Sequence, residues 1–145
     1  MSRGADEGAA AAGGLGLMPF TATLRIEQLE ATKELIRARL PWEERLCTTG
    51  GALHGGALMA LADSAGGLCA YLHLPEGATG TTTIESKTNF FRPLTTGHAE
   101  ASSRPLHVGR TVVVVETDVT DGDGRLLSRT TQSQLVLYPR SADPR

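Results

Sequence analysis

Asp63 is the only charged side chain in the apolar run over 57–72, and that run starts directly after His54-Gly55-Gly56. A carboxylate inside a buried helix costs several kcal/mol of desolvation unless something there needs or satisfies it. Asp63 is therefore the leading catalytic candidate. The competing reading is an acid held structurally by neighbouring hydroxyls such as Ser64. Gly55 and Gly56 stand where backbone N–H groups have no acceptor within a helix and the helix dipole is positive. Such a donor can bind a carbonyl oxygen as negative charge develops on it, or the two glycines can simply start a helix against a crowded sheet. His54 reads as a general base or as a helix-start residue bonded to backbone. His54 and Asp63 are nine residues apart, so at about 100° per residue they project roughly 180° from each other. A site that uses both must combine helices from two subunits.

Other chemistries find little support. Ser64 sits in Ala-Asp-Ser-Ala, without the Gly-x-Ser-x-Gly elbow of a serine nucleophile. Neither a P-loop nor a dinucleotide fingerprint is present. Arg92, before Pro93, and Arg110, after Gly109, adjoin strand-like segments where a phosphate could be met at a sheet rim. Their alternative is solvated strand-end charge.

The elements that must position these groups follow from periodicity. Leu24 and Ile26 alternate with Arg25 and Glu27, and Ile36, Ala38 and Leu40 alternate with Arg37 and Arg39, which predicts an opening hairpin. The 41–53 segment reads as a loop, with Glu43, Glu44, Thr48, Thr49 and Gly50-Gly51. A helix over 54–72 follows, apolar on nearly every side and so expected to be enclosed on nearly every side. After Pro75-Glu76-Gly77, strands are predicted over 80–91, 99–106, 111–120 and 125–138. They include the β-branched run Val112-Val113-Val114-Val115 and a hairpin turn at Asp121-Gly122-Asp123-Gly124. One helix crossing an antiparallel sheet of five or six strands is an α+β layer arrangement. Its edge strands favour pairing into a homodimer.

At 145 residues and 40% apolar content, the chain suits one domain with a hydrophobic core. A net charge of −2 provides no general field for nucleic acid or an anionic membrane. Cys47 and Cys69 form neither a disulfide framework nor a metal-ligand set, so no metal is expected and a reducing cytoplasm fits. The stretch 57–74 contains Asp63, Gly66-Gly67 and His73 and is marginal against the roughly 20 residues of a membrane span. A disordered leader is expected over 1–17, a single domain over 18–140 and a flexible tail over 141–145.

The segment Leu53-His54-Gly55-Gly56-Ala57-Leu58-Met59-Ala60-Leu61-Ala62-Asp63-Ser64-Ala65 resembles the signature of hotdog-fold acyl-CoA thioesterases of the phenylacetyl-CoA thioesterase type. The similarity extends over Met18-Pro19-Phe20, Leu40-Pro41-Trp42, the strand from Thr83 with Arg92-Pro93, Gly109-Arg110 and the final hairpin, about 18–138. The resemblance implies a hotdog fold, with the sheet curled around the 54–72 helix, in dimers and commonly dimers of dimers. It also implies hydrolysis of an acyl-CoA thioester, with CoA entering as part of the substrate and no separate cofactor. By the same resemblance, Asp63 matches the catalytic acid, as general base or nucleophile, and Gly55 the backbone donor to the thioester carbonyl. His54 matches the adjacent position that shapes this region. Thr83 matches the hydroxyl residue that orients water from the same subunit as the acid. Thr48 stands where related enzymes usually carry Asn or Gln, and a hydroxyl lacks the two-ended geometry of an amide. A hotdog dehydratase or hydratase and a non-catalytic acyl-CoA binding module are the alternatives. Aryl-acetyl, benzoyl and medium-chain acyl groups all fit, in a pocket expected to use Leu58, Met59, Leu61 and partner residues.

Overall fold

The computed structural model describes residues 14–141. Six strands form one fully antiparallel sheet: β1 (Glu27–Ala31), β2 (Ile36–Pro41), β3 (Gly80–Phe90), β4 (His98–Val108), β5 (Val112–Thr120) and β6 (Leu126–Leu137). Their spatial order is β1-β2-β4-β5-β6-β3. Two helices join them, a short α1 (Pro19–Leu24) and the long α2 (Gly55–Leu72). Helix α2 links β2, near one edge, to β3, at the other, and packs on the inner face of β2 through β6.

Period two decides the inner face. Ile36, Ala38 and Leu40 on β2 and Val113, Val115, Thr117 and Val119 on β5 are buried, while the residues that alternate with them are partly exposed. Opposite them lie Ala57, Leu58, Leu61, Ala62, Ala65, Leu68, Cys69 and Leu72 of α2. The hairpin turn forms as its residues require. Asp121 accepts from the backbone N–H of Asp123 and Arg125 at 2.9 Å each, and Gly124 supplies the positive φ of 80°.

Three expectations are corrected. The first strand does not include Leu24 and Ile26: Pro19 begins α1 with its φ preset, and Arg25 ends it in the left-handed conformation at φ 59°. The chain therefore enters β1 only at Glu27, although both apolar residues are still buried. The last residues of the expected leader are also structured. Residues 1–13 lie outside the described residues, but Leu15–Leu17 form a 3-10 turn, Leu15 is fully buried, and its carbonyl accepts the Thr21 hydroxyl. Of the tail, Ser141 is exposed and 142–145 lie outside the described residues. Finally, α2 is not enclosed on every side within one chain. Met59, Asp63 and Tyr71 share a four-residue spacing through Gly67 and are exposed, so the helix keeps one open stripe.

Candidate active site

Asp63 lies on that open stripe, and the premise that its carboxylate is buried in a single chain does not hold. It borders a cleft of about 640 Å³. One wall is apolar, from Leu15, Leu17, Met18 and Phe20 of the N-terminal turn and α1, with Leu68 and Tyr71 of α2. The other wall is the first part of β3, Gly80 to Thr83, with Gln134 of β6. Asp63 and Thr83 thus share one cleft in one chain. Leu58, Met59 and Leu61, expected to line an acyl pocket, do not border this cleft. Leu61 is fully buried in the core, Leu58 borders a different cleft, and the α1 region supplies the apolar wall.

Asp63 is held from below. Its Oδ1 accepts a 2.6 Å hydrogen bond from Nε2 of Gln132, which is fully buried on β6. Ser64 does not hold it: the Ser64 hydroxyl donates to the Ala60 carbonyl one helical turn back. Two residues along β6, Nε2 of the buried Gln134 lies 2.7 Å from the Thr83 hydroxyl oxygen.

The helix start is elsewhere. His54 caps α2, its Nδ1 accepting from the Gly56 N–H at 2.8 Å. A backbone N–H can only donate, so in the neutral ring Nε2 carries the proton. The cap satisfies Gly56 and leaves Gly55, at the first helical position, with no acceptor inside the helix. Gly55 borders a second cleft with Leu58, Phe90, Phe91, Arg92 and Pro93, and His54 borders a third with Phe20, Arg45, Cys47 and Ala60. Neither includes Asp63, in keeping with the angular argument from the sequence.

Thr48 is exposed in the loop before α2 and borders none of these clefts. Its backbone bonds to Ala52 and Gly51, and its hydroxyl accepts from the Gly50 N–H at 3.4 Å. Arg92 borders the Gly55 cleft and donates to the Leu126 carbonyl at 3.0 Å, at the start of β6. Arg110 is exposed beyond the far end of that strand, its carbonyl bonded by the Tyr138 hydroxyl. Twelve residues of β6 separate these points, roughly 40 Å at about 3.3 Å per residue. One chain cannot bring the two arginines to one phosphate.

Burial pushes the Cys69 thiol up to about 11, which disfavours the thiolate that nucleophilic chemistry needs. Among the described residues, no three His, Cys, Asp or Glu side chains gather where they could hold a metal ion. Among them, too, no helix is long and apolar enough to cross a membrane.

Gln132, Gln134, Tyr71 and the α1 wall were not anticipated. A signal for the first two existed in the sequence: Thr130, Gln132 and Gln134 alternate along β6 between the buried Leu127 and Val136. Polar residues at that spacing belong to one face.

Comparison with known proteins agrees with this architecture. Residues 50–128 match the family model of the thioesterase superfamily. A protein of Saccharolobus solfataricus, provisionally named an esterase, is 32% identical over 114 residues, covering 79% of each chain. The proofreading thioesterase EntH of Klebsiella pneumoniae is 36% identical over 91 residues, 63% of this chain and 66% of that one. The crystal structure of a thioesterase from Haemophilus influenzae superposes with a TM-score of 0.82 at 26% identity, covering 90% of this chain and 91% of the other. With one long helix laid across a six-stranded antiparallel sheet in the hotdog arrangement, this chain belongs to the thioesterase superfamily.

Proposed function

We propose that the chain hydrolyses an acyl-CoA thioester to the carboxylic acid and free CoA, in a site shared by two subunits. The observation that carries this reading is how β3 divides the candidate groups. The start of β3 walls the Asp63 cleft, and the residues at its end, Phe90 to Arg92, wall the Gly55 cleft. β3 pairs with β6 on one side and is the outer strand of the sheet on the other. A twofold axis through the middle of β3, pairing it antiparallel with a second copy, sets each chain's Gly80 to Thr83 segment beside the partner's Phe90. Asp63 then meets the partner's Gly55, and Arg92 lies on the same rim as the partner's Arg110, where the CoA phosphates would be met.

The chemistry follows from the thioester. Its carbonyl carbon is electrophilic and thiolate leaves readily, so oxyanion stabilisation and one base suffice. The Gly55 N–H binds the carbonyl oxygen as it gains charge. Water adds to the carbonyl carbon while Asp63 takes its proton. The C–S bond then breaks, the electron pair leaves on sulfur, and Asp63 returns the proton to the thiolate. The alternative is direct attack by Asp63, forming an anhydride that water then cleaves. The apolar cleft beside Asp63 accepts an aryl-acetyl, aromatic or medium-chain acyl group against Leu17, Met18, Phe20 and Tyr71. Two such dimers pair into a tetramer, and the protein works in the cytoplasm.

The test is thiol release over a panel of CoA esters by the wild-type chain and Asp63→Ala. Release that falls roughly 100-fold or more in the variant, with the fold intact, supports the reading. Raised thermal stability in the presence of CoA esters without any release supports the binding module instead.

A further inference from the structure

Gln132 and Gln134 occupy successive inward positions of β6, at 0% and 1% exposure, where period two calls for apolar side chains under the helix. Each touches one of the two residues proposed to act on water. The Gln132 site is also shaped by an absence of volume. A Cβ on Gly66 would lie 2.1 Å from Gln132 Oε1 and 3.2 Å from its Cδ, so only glycine at that turn of α2 leaves room for the carboxamide. Among the described residues Oε1 has no hydrogen-bond partner, although it is buried. Turning the amide over would leave its NH2 unpaired in the same place and set its oxygen against the Asp63 carboxylate, so the acid fixes its orientation.

We propose that Gln132 and Gln134 are paired positioning residues that set the hydrogen-bond polarity of the hydrolytic site. This rests on the thioester-hydrolase reading above. Gln132 Nε2 occupies Oδ1 of Asp63 and leaves Oδ2 as the acceptor toward the cleft. Gln134 Nε2 donates to the Thr83 oxygen, so the Thr83 proton points into the cleft instead. A water molecule between them donates to Asp63 and accepts from Thr83. Its remaining lone pair is then free for the carbonyl carbon. This arrangement selects water over Asp63 itself as the attacking group.

The test is steady-state hydrolysis of the best CoA ester by Gln132→Leu, Gln134→Glu, Thr83→Ala and the Gln134→Glu/Thr83→Ala double variant, with thermal melts to check folding. A glutamate carboxylate at 134 can only accept, and so would turn the Thr83 proton away from the cleft. Misplaced reacting groups of this kind cost up to roughly 100-fold in rate. The expected result is a fall in kcat of at least roughly tenfold for each single variant, with KM within about twofold, and a double variant no worse than Thr83→Ala alone. Should the glutamate not fold, Gln134→Met removes the donor at similar volume and carries the same expectation. Wild-type kcat in the 132 and 134 variants, alongside an inactive Asp63→Ala, overturns this inference alone. Absence of thiol release by the wild-type chain overturns the underlying reading, and this inference with it.

Discussion

Removing the Gly55 N–H by Gly55→Pro isolates the proposed oxyanion donor, because the local backbone already suits proline. His54 has φ −60° and ψ 135°, the extended conformation that a residue before proline adopts. Gly55 is the first helical residue, where proline removes no intrahelical bond. An added Cβ would come 3.2 Å from the Phe90 ring, which is 49% exposed within one chain, a contact relieved by a shift of a few tenths of an ångström. The fold should therefore survive, while loss of one oxyanion donor lowers kcat by about 10²–10³, or about 2.7–4 kcal/mol. Mixing then tests the shared site. In a dimer of one Gly55→Pro chain and one Asp63→Ala chain, one of the two sites carries both defects and the other carries neither. Random reassociation makes about half of the dimers mixed, so an equal mixture of the two near-inactive parents should recover about one-quarter of wild-type activity. Differentially tagged chains co-refolded and assayed for thiol release measure this directly. A mixture no more active than its parents would refute the shared site.

Ser86→Pro should separate folding from assembly. The Phe91 N–H donates to the Leu127 carbonyl at 2.8 Å, so by alternation Asn89 and Lys87 face β6 and Ser86 turns its N–H to the free edge of β3. The variant is expected to melt cooperatively but run as a monomer by light scattering and lose turnover; an active dimer would count against the β3 seam. The Asp121 turn gives a pH signature. Its carboxyl is held below the usual carboxylate range, chiefly by the Arg125 backbone N–H, then by the Arg125 guanidinium and the Asp123 N–H. The stability it contributes is present above the unfolded value of about 3.9 and is lost as pH falls through the lower folded value. Asp121→Asn should thus melt earlier than wild type at pH 6, with the gap closing toward pH 3; a gap independent of pH would contradict the assignment.

The frame of the molecule was legible where a residue pattern has only one physical solution. The Val112–Val115 run, the Asp-Gly-Asp-Gly turn and the small-residue helix after His54-Gly55-Gly56 all formed as expected, because each meets a local requirement of twist, φ or close packing. Leu24 and Ile26 misled because alternation over four residues also fits a helix end followed by a link, and the Met18-Pro19 start signal outweighs it. The open stripe of α2 was illegible for a different reason. Hydrophobicity tells which residues avoid water but not whether the covering surface lies in the same chain, and Met59 and Tyr71 are exposed in this one. Asp63 was singled out on the premise of burial, yet it opens onto a cleft. Its isolation among apolar neighbours was informative even though the enclosure was not. Gln132 and Gln134 were overlooked because amide residues in a strand look like its solvated side until the register with β5 and β3 fixes their direction.

The bare carbonyl oxygen of Gln132 bears on how this protein can evolve. Burying an unpaired acceptor costs about 1–3 kcal/mol, and a leucine beneath Gly66 would avoid that penalty. Selection for robustness alone would drift position 132 toward an aliphatic residue. A lineage that keeps the amide holds its heat tolerance below what the scaffold permits, and variants bred for thermal endurance should lose it early, with turnover following.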